Sequence, residues 1–173
     1  MKRAVVICPG RGSYSRTSLG YLKGVQSTKL EQADQFRKNL SRPTVSEMDQ
    51  AKKFRSKLHI AGENASILTA GISMADFDQI SKKFDIVAIT GNSMGFYTAL
   101  GLSGALDLPA CFKLVETMAE YQERNIIGGQ IIYPLVDEEW QRVPERETLV
   151  QYLIDTIPDL HWSIKLGGQA VLG

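Results

Sequence analysis

The sequence predicts an α/β protein built on a parallel sheet, and three observations carry that prediction. Two short apolar runs, "RAVVICPG" and "FDIVAIT", are rich in β-branched residues and end in turn-forming residues, the pattern of buried strands. Stretches of helical length separate and follow them. Past Asn125 the texture changes to short strand-like and helix-like pieces, with the pair Gly128-Gly129 marking a subdomain boundary. Residues 1–127 are therefore expected to form a main α/β subdomain and residues 128–173 part of a smaller one.

Each element follows in order. "RAVVICPG" reads as a buried strand stopped by Pro9-Gly10. The region from Tyr14 to about Asn39 is polar and partly helical. "RPTVSEMDQAKKFRSKL" reads as a helix opening near Ser46, behind Pro43, with basic residues in its later turns. "ENASILTAGISMADFDQIS" has helical length, "FDIVAIT" is the second buried strand, and "MGFYTALGLSGAL" is a small-residue helix. "LPACFKLVETMAEYQERN" is the clearest helix, with Pro109 near its first turn and Leu114, Met118 and Tyr121 at helical spacing. "GGQIIYPLV", "RETLVQYLIDTIPDL", "HWSIKL" and "GGQAVLG" read as strand, helix, strand, strand.

Composition bounds the function. The chain of 173 residues is 43% hydrophobic with a formal net charge of +1, which leaves no broad basic field for nucleic acid and no acidic tail. Lys52, Lys53, Arg55 and Lys57 form a local basic stretch, read as a solvated helix face, with a docking patch for an acidic partner as the functional alternative. The two cysteines, Cys8 and Cys111, make neither a disulfide framework nor a CxxC metal pair. The apolar stretch behind "MKR" is too short for a signal peptide and is broken by Pro9-Gly10. A cytoplasmic protein that binds no membrane is expected.

Two short motifs carry possible chemistry. Gly91-Asn92-Ser93-Met94-Gly95 is a G-x-S-x-G placed after a strand and before a helix, the context of a nucleophile elbow. A sharp turn there lifts the Ser93 hydroxyl out of the sheet, Gly91 and Gly95 let neighbouring backbone approach, and the helix N-terminus offers N–H groups to an oxyanion. A plain tight turn containing a serine is the structural alternative. Pro9-Gly10-Arg11-Gly12-Ser13 ends the first strand; it is either an ordinary loop or the source of a second oxyanion donor. Strands of one parallel sheet end on the same side, so the two loops can meet there.

"CPGRGSY", "ENASIL" and "GNSMGFYTALGLSGALDL", in that order, resemble the motifs of malonyl-CoA:acyl carrier protein transacylases and polyketide synthase acyltransferase domains. The resemblance runs from Ala4 to about Gly173. It implies a covalent mechanism in which a serine takes an acyl group from acyl-CoA and passes it to the phosphopantetheine thiol of an acyl carrier protein, with no permanently bound cofactor and no metal. Carried over by position, Ser93 is the nucleophile, the backbone N–H groups of Arg11 and Met94 form the oxyanion hole, and Asn64, Asn92 and Met118 line the acyl pocket. Arg11 and Asn64 stand where the family has glutamines, Asn92 where it has a histidine, and Phe96 where an acidic residue is frequent. Met118 stands where malonyl-selective members carry an arginine, which implies an uncharged acyl group in preference to malonyl, with Arg124 as the possible substitute cation.

The family's base is a histidine well downstream of the serine. Here only His59 and His161 occur, and neither matches that position. His59 is expected at the surface or half-buried. By the same resemblance, residues from Gly128 look like the inserted ferredoxin-like subdomain, of which β-α-β-β would be present and the rest absent. The sequence is therefore expected to be the N-terminal portion of a longer protein. Two further readings remain open: a serine hydrolase or thioesterase with a G-x-S-x-G elbow, and a non-catalytic acyl-binding or scaffold relative.

Overall fold

The computed structural model describes residues 1–125 and 128–173. The chain divides into two compact units, Met1–Asn125 and Ile126–Gly173.

The first unit opens with β1 (Lys2–Cys8), passes through two 3₁₀ turns (Arg11–Ser13 and Arg16–Ser18), and continues with α1 (Thr28–Asn39), α2 (Val45–Asp49), α3 (Ser56–His59) and α4 (Gly62–Ile80). β2 (Phe84–Gly91), α5 (Gly95–Leu102) and α6 (Leu108–Arg124) complete it. β1 and β2 pair in parallel, from Lys2 opposite Phe84 to Cys8 opposite Gly91, with an irregularity between Ala4 and Val5. A long helical crossover between the strands makes that parallel pairing possible. α4 packs against α1 and α6, and α5 against β2 and α6.

The core of this unit gathers Cys8, Ile67, Leu68, Met74, Phe112 and Val115 with their neighbours. The strands are not buried on both faces, as their apolar runs suggested. Along β1, Val6 and Cys8 turn inward, while Val5 and Ile7 are 56% and 69% exposed. β2 alternates less cleanly and is exposed at most positions. The helices of this unit cover one face of the sheet, so an uninterrupted apolar run cannot by itself say that both faces are covered.

The helix expected from Ser46 through the basic stretch is broken in two. α2 opens with a capping box, in which Thr44 accepts from the Glu47 N–H and the Glu47 carboxylate accepts from the Thr44 N–H. It stops at Asp49: the Met48 oxygen, which a continuing helix would offer to residue 52, instead accepts from the Ala51 N–H at 3.3 Å and lies 2.9 Å from His59 Nε2. His59 is buried rather than at the surface. Its ring stacks on Phe54 and Tyr14, with centroids 4.7 Å and 6.0 Å away. Lys52, Lys53, Arg55 and Lys57 are exposed, but around the break rather than along one helix face.

α6 begins where expected, with Asp107 as N-cap, its carboxylate accepting from the Ala110 N–H at 2.7 Å, and Pro109 in the first turn. Its inward stripe is Cys111, Phe112, Val115 and Ala119. Leu114 and Met118 are half-buried and Tyr121 is 61% exposed, so the apolar stripe chosen from sequence lies beside the true one.

The second unit is β3 (Ile131–Pro134), α7 (Pro144–Thr156), β4 (Trp162–Lys165) and β5 (Gln169–Leu172). Its antiparallel sheet has the order β3-β5-β4. The core is small: Leu135, Val150, Ala170 and Leu172, flanked by Tyr133, Ile154, Leu160 and Trp162. Among the described residues, no helix is long and apolar enough to cross a membrane.

Candidate active site

β2 ends at Gly91 and α5 begins at Gly95, which leaves three residues to turn the chain from strand into helix. The turn closes by backbone hydrogen bonds: the Gly95 N–H donates to the Asn92 oxygen at 2.8 Å and the Phe96 N–H to the Ser93 oxygen at 3.1 Å. Ser93 sits at φ +53°, in the left-handed region that a side-chain-bearing residue occupies at a cost of about 1–3 kcal/mol. Its side chain is exposed, and Met94 behind it is buried.

The glycines are required by contact. A Cβ on Gly91 would lie 2.1 Å from the Gly95 carbonyl carbon, and one on Gly95 would lie 2.1 Å from the Cys8 oxygen and 2.8 Å from the Pro9 oxygen. The elbow is thus pressed directly onto the end of β1. A third contact ties the loops together: the Asn92 N–H donates to the Cys8 oxygen at 2.9 Å. A Cβ on Gly10 would stand 3.4 Å from the Asn92 oxygen and 3.5 Å from the Ser93 Cβ. The Pro9–Ser13 loop and the elbow therefore lie on the same edge of the sheet and touch. Arg11, directly after Gly10, opens the 3₁₀ turn, and its carbonyl accepts from Thr69 Oγ1 of α4 at 3.4 Å.

The pocket residues chosen from sequence are placed as follows. Asn92 is exposed in the elbow. Met118 is half-buried on α6. Asn64 is buried in the first turn of α4, where its Oδ1 accepts from Arg37 Nη2 at 2.5 Å. Arg124 is no substitute cation in the core: its side chain is 77% exposed and reaches Glu120 at 3.7 Å.

Arg37 was missed by sequence reasoning. It is fully buried, pairs with Glu116 at 2.5 Å, and also donates from Nε to the Pro43 oxygen at 2.8 Å. Arg42 caps the cluster by pairing with Glu116 at 2.5 Å and Glu120 at 2.6 Å. The available signal was spacing: Leu30, Ala33 and Arg37 fall on one face of α1, so the arginine occupies a position that helical periodicity assigns to the interior. A second guanidinium, that of Arg11, has its Nη1 buried without a hydrogen-bond partner among the described residues, at the start of α4, where a Cβ on Gly62 would stand 3.0 Å from it.

Neither histidine is free to serve Ser93 from within the first unit. Both His59 nitrogens bond to backbone, Nε2 with Met48 and Nδ1 with Arg55. His161 belongs to the second unit, where its backbone pairs with Gly173. Among the described residues no group of three His, Cys, Asp or Glu could hold a metal ion.

A parallel strand, a tight turn and a helix, with a second loop packed against the turn, define the class of α/β folds to which the first unit belongs. Within that class, solved structures share this chain's fold. A malonyl-CoA:ACP transacylase from Synechocystis is 20% identical, with a TM-score of 0.74 over 99% of this chain and 54% of its own. The malonyl-CoA:acyl carrier protein transacylase from Helicobacter pylori is 19% identical, with a TM-score of 0.73 over 99% and 54%. A malonyl-transacylase solved in complex with a type II polyketide synthase acyl carrier protein is 19% identical, with a TM-score of 0.71 over the same shares. No family profile matches the sequence, and no curated protein matches it. The chain has the fold of malonyl-CoA:ACP transacylases and spans about half the length of the solved structures it matches.

Proposed function

We propose that this chain carries the acyl-accepting half of an acyl-CoA:acyl carrier protein transacylase. The observation that supports it best is Ser93, held at φ +53° between Gly91 and Gly95 with the Pro9–Ser13 loop packed against it. That conformation is the one a nucleophile elbow gives its serine; Ser41 and Trp140 also hold positive φ, so the packing of the Pro9–Ser13 loop against the turn is what sets Ser93 apart. In this reading the Ser93 hydroxyl attacks the thioester carbonyl of acyl-CoA, the C–S bond breaks, and coenzyme A leaves as the thiol. The acyl ester on Ser93 is then attacked by the phosphopantetheine thiol of the carrier protein. The backbone N–H groups of Arg11 and Met94 are the proposed oxyanion donors, each expected to be worth roughly 10²-fold or more in rate. The second unit, β-α-β-β with its strand order β3-β5-β4, is read as ferredoxin-like.

Met118 presents a thioether where a cation would be needed to pair with a free carboxylate, and an unpaired carboxylate is costly to bury. An uncharged acyl group is therefore favoured over malonyl. The two buried free thiols suit a reducing compartment, so we place the protein in the cytoplasm.

A serine also needs a proton acceptor, and His59 is bonded away. This favours slow transfer by residues 1–173 alone, and it gives a non-catalytic acyl-binding role as the second reading. The test is mass spectrometry of the chain after incubation with acetyl-CoA, malonyl-CoA and a phosphopantetheinylated carrier protein. A slow acetyl adduct on Ser93, absent in Ser93→Ala and transferable to the carrier thiol, supports the transferase. Release of free acetate instead supports a hydrolase. No adduct on Ser93 overturns both and leaves the binding role. Faster labelling by malonyl-CoA overturns the acyl preference.

A further inference from the structure

We propose that Asp49, acting through the Tyr14 hydroxyl, is a positioning residue that holds the Pro9–Ser13 loop against Ser93, and with it the Arg11 N–H proposed as an oxyanion donor; the inference rests on the acyl-transfer reading of that site. Asp49 is the last residue of α2 and is fully buried. Its Oδ1 accepts from the Tyr14 hydroxyl at 2.8 Å and its Oδ2 from the Leu22 N–H at 2.9 Å, while its backbone oxygen accepts from the Gly20 N–H at 2.9 Å. All three donors come from one segment, residues 14–22. A single residue thus closes that segment into a compact loop with both ends on one carboxylate. The first of those ends, Tyr14, directly follows the Pro9–Ser13 loop.

The hold on the Pro9–Ser13 loop is uneven, and Tyr14 supplies its downstream end. Upstream, the Asn92 N–H donates to the Cys8 oxygen at 2.9 Å. Inside the loop, the Ser13 N–H and hydroxyl both turn back to the Gly10 oxygen, at 3.2 Å and 2.8 Å, which shapes the loop without anchoring it. Thr69 reaches the Arg11 oxygen only at 3.4 Å. Tyr14 is a stronger tether. Its ring is buried and stacked on Phe54 and His59, and its hydroxyl ends on a carboxylate, the charge-assisted kind of hydrogen bond. Burial, and then the bond to Asp49 and its charge, push the Tyr14 phenol well above its ordinary range, so it remains a protonated donor. His59 steadies the pair from the side: its Nε2 lies 2.9 Å from the oxygen of Met48, the residue before Asp49, while its ring lies against Tyr14.

The consequence falls at Gly10. A Cβ there would stand 3.4 Å from the Asn92 oxygen and 3.5 Å from the Ser93 Cβ, so the loop lies at contact distance from the nucleophile. An oxyanion donor acts only when its N–H is aimed at the place where charge develops, and a misplacement on the order of 1 Å costs about 10²-fold in rate. A loop that carries two glycines, Gly10 and Gly12, has little stiffness of its own to hold such an aim. Asp49 lends it the stiffness of the core by way of Tyr14.

The experiment uses residues 1–173 and two variants. Tyr14→Phe removes one hydroxyl and leaves the ring against Phe54 and His59. Asp49→Asn keeps the tether: its amide oxygen can accept from the Leu22 N–H while its N–H₂ donates to the Tyr14 hydroxyl, which takes either role. Amide hydrogen exchange at residues 10–13 is expected to quicken about tenfold in Tyr14→Phe and to stay within about threefold of native in Asp49→Asn, with the slow amides of α4 and α6 unchanged in both. Acetylation of Ser93 at saturating acetyl-CoA, followed by mass spectrometry, is expected to slow roughly tenfold in Tyr14→Phe, with the acetyl-CoA concentration for half-maximal rate unchanged, and to recover in Asp49→Asn. Native exchange at residues 10–13 in Tyr14→Phe, or a native acetylation rate, overturns the inference. So does faster exchange spread across α4 and α6, which would make the contact a general support of the fold. An Asp49→Asn variant as impaired as Tyr14→Phe assigns the effect to the buried charge and overturns the tether. No Ser93 adduct on the native chain overturns the transfer reading and the oxyanion part of this inference with it, while exchange at residues 10–13 still decides the tether.

Discussion

Ser93 holds a backbone angle that glycine takes without penalty, so the residue that would do the chemistry is also one that weakens the fold. Ser93→Gly is expected to raise the stability of the first unit by about 1 kcal/mol while abolishing acyl capture, seen as a higher urea midpoint and no adduct by mass spectrometry. Gly95→Ala is the opposite case. Its methyl would collide with the Cys8 carbonyl in the centre of the unit, and the expected outcome is loss of cooperative unfolding and of soluble yield. Cys111 gives a pH signature. Burial pushes its thiol up from 9.0 to about 11. In the folded chain it stays neutral while the unfolded chain ionises near 9, so its contribution is intact below pH 9 and is lost as pH rises towards 11. Urea midpoints measured between pH 8 and 11 should fall across that window, and Cys111→Ala should flatten the fall. The G-x-S-x-G context was legible at this scale because strand, glycines and helix are all local. The burial of Arg37 and His59 was overlooked: Arg37 sits on the inward face of α1 but is matched by Glu116, distant in sequence, and His59 bonds with the Met48 and Arg55 carbonyls only because the chain turns back before α3.

At the scale of elements, α4 and α6 were read almost to their ends, α4 by its length and α6 by its length and its cap. Asp107 illustrates why: its carboxylate satisfies an end N–H that nothing else in the helix can. The face of α6 was misjudged because Glu116 occupies an inward position that periodicity reserves for an apolar residue, and only Arg37 and Arg42 explain it. The break between α2 and α3 was invisible for a similar reason, as it goes with a side chain returning from His59 to the Met48 carbonyl. This buried cluster joins α1, α4 and α6. Arg37→Leu is expected to lower the stability of the first unit by about 3–5 kcal/mol, read from urea unfolding, since it strands the Asn64 oxygen, the Pro43 carbonyl and one oxygen of Glu116. Asp107→Ala should cost about 1 kcal/mol in the same measurement.

Taken whole, the chain holds two units of unequal means. The first buries a broad cluster around Ile67, Leu68, Met74 and Phe112; the second relies on Leu135, Val150, Ala170 and Leu172. Amide hydrogen exchange should follow that difference, with the slowest amides in α4 and α6 and markedly faster exchange across β3, β4 and β5. Equal protection in both units would contradict it. The uncovered sheet face has its own test. Parallel sheets are ordinarily covered on both sides, and here Val5 and Ile7 face outward. Val5→Thr with Ile7→Lys should reduce binding of a hydrophobic fluorescent dye while leaving the urea midpoint within about 0.5 kcal/mol of native. The order of elements was legible because each is specified by its own residues, whereas the coverage of a sheet face depends on what packs against it.

The two close approaches at Gly91 and Gly95 reach beyond the turn itself. They are contacts made by backbone alone, in places where a side chain is forbidden rather than required. The shape around Ser93 is therefore written in omissions, and it survives whatever stands at Arg11, Asn92 or Phe96 between them. A catalyst built this way can exchange nearly every side chain that surrounds its serine, and change what it accepts, without moving the serine itself. That tolerance is one way a chain can keep the architecture of transacylases with which it shares only about a fifth of its residues.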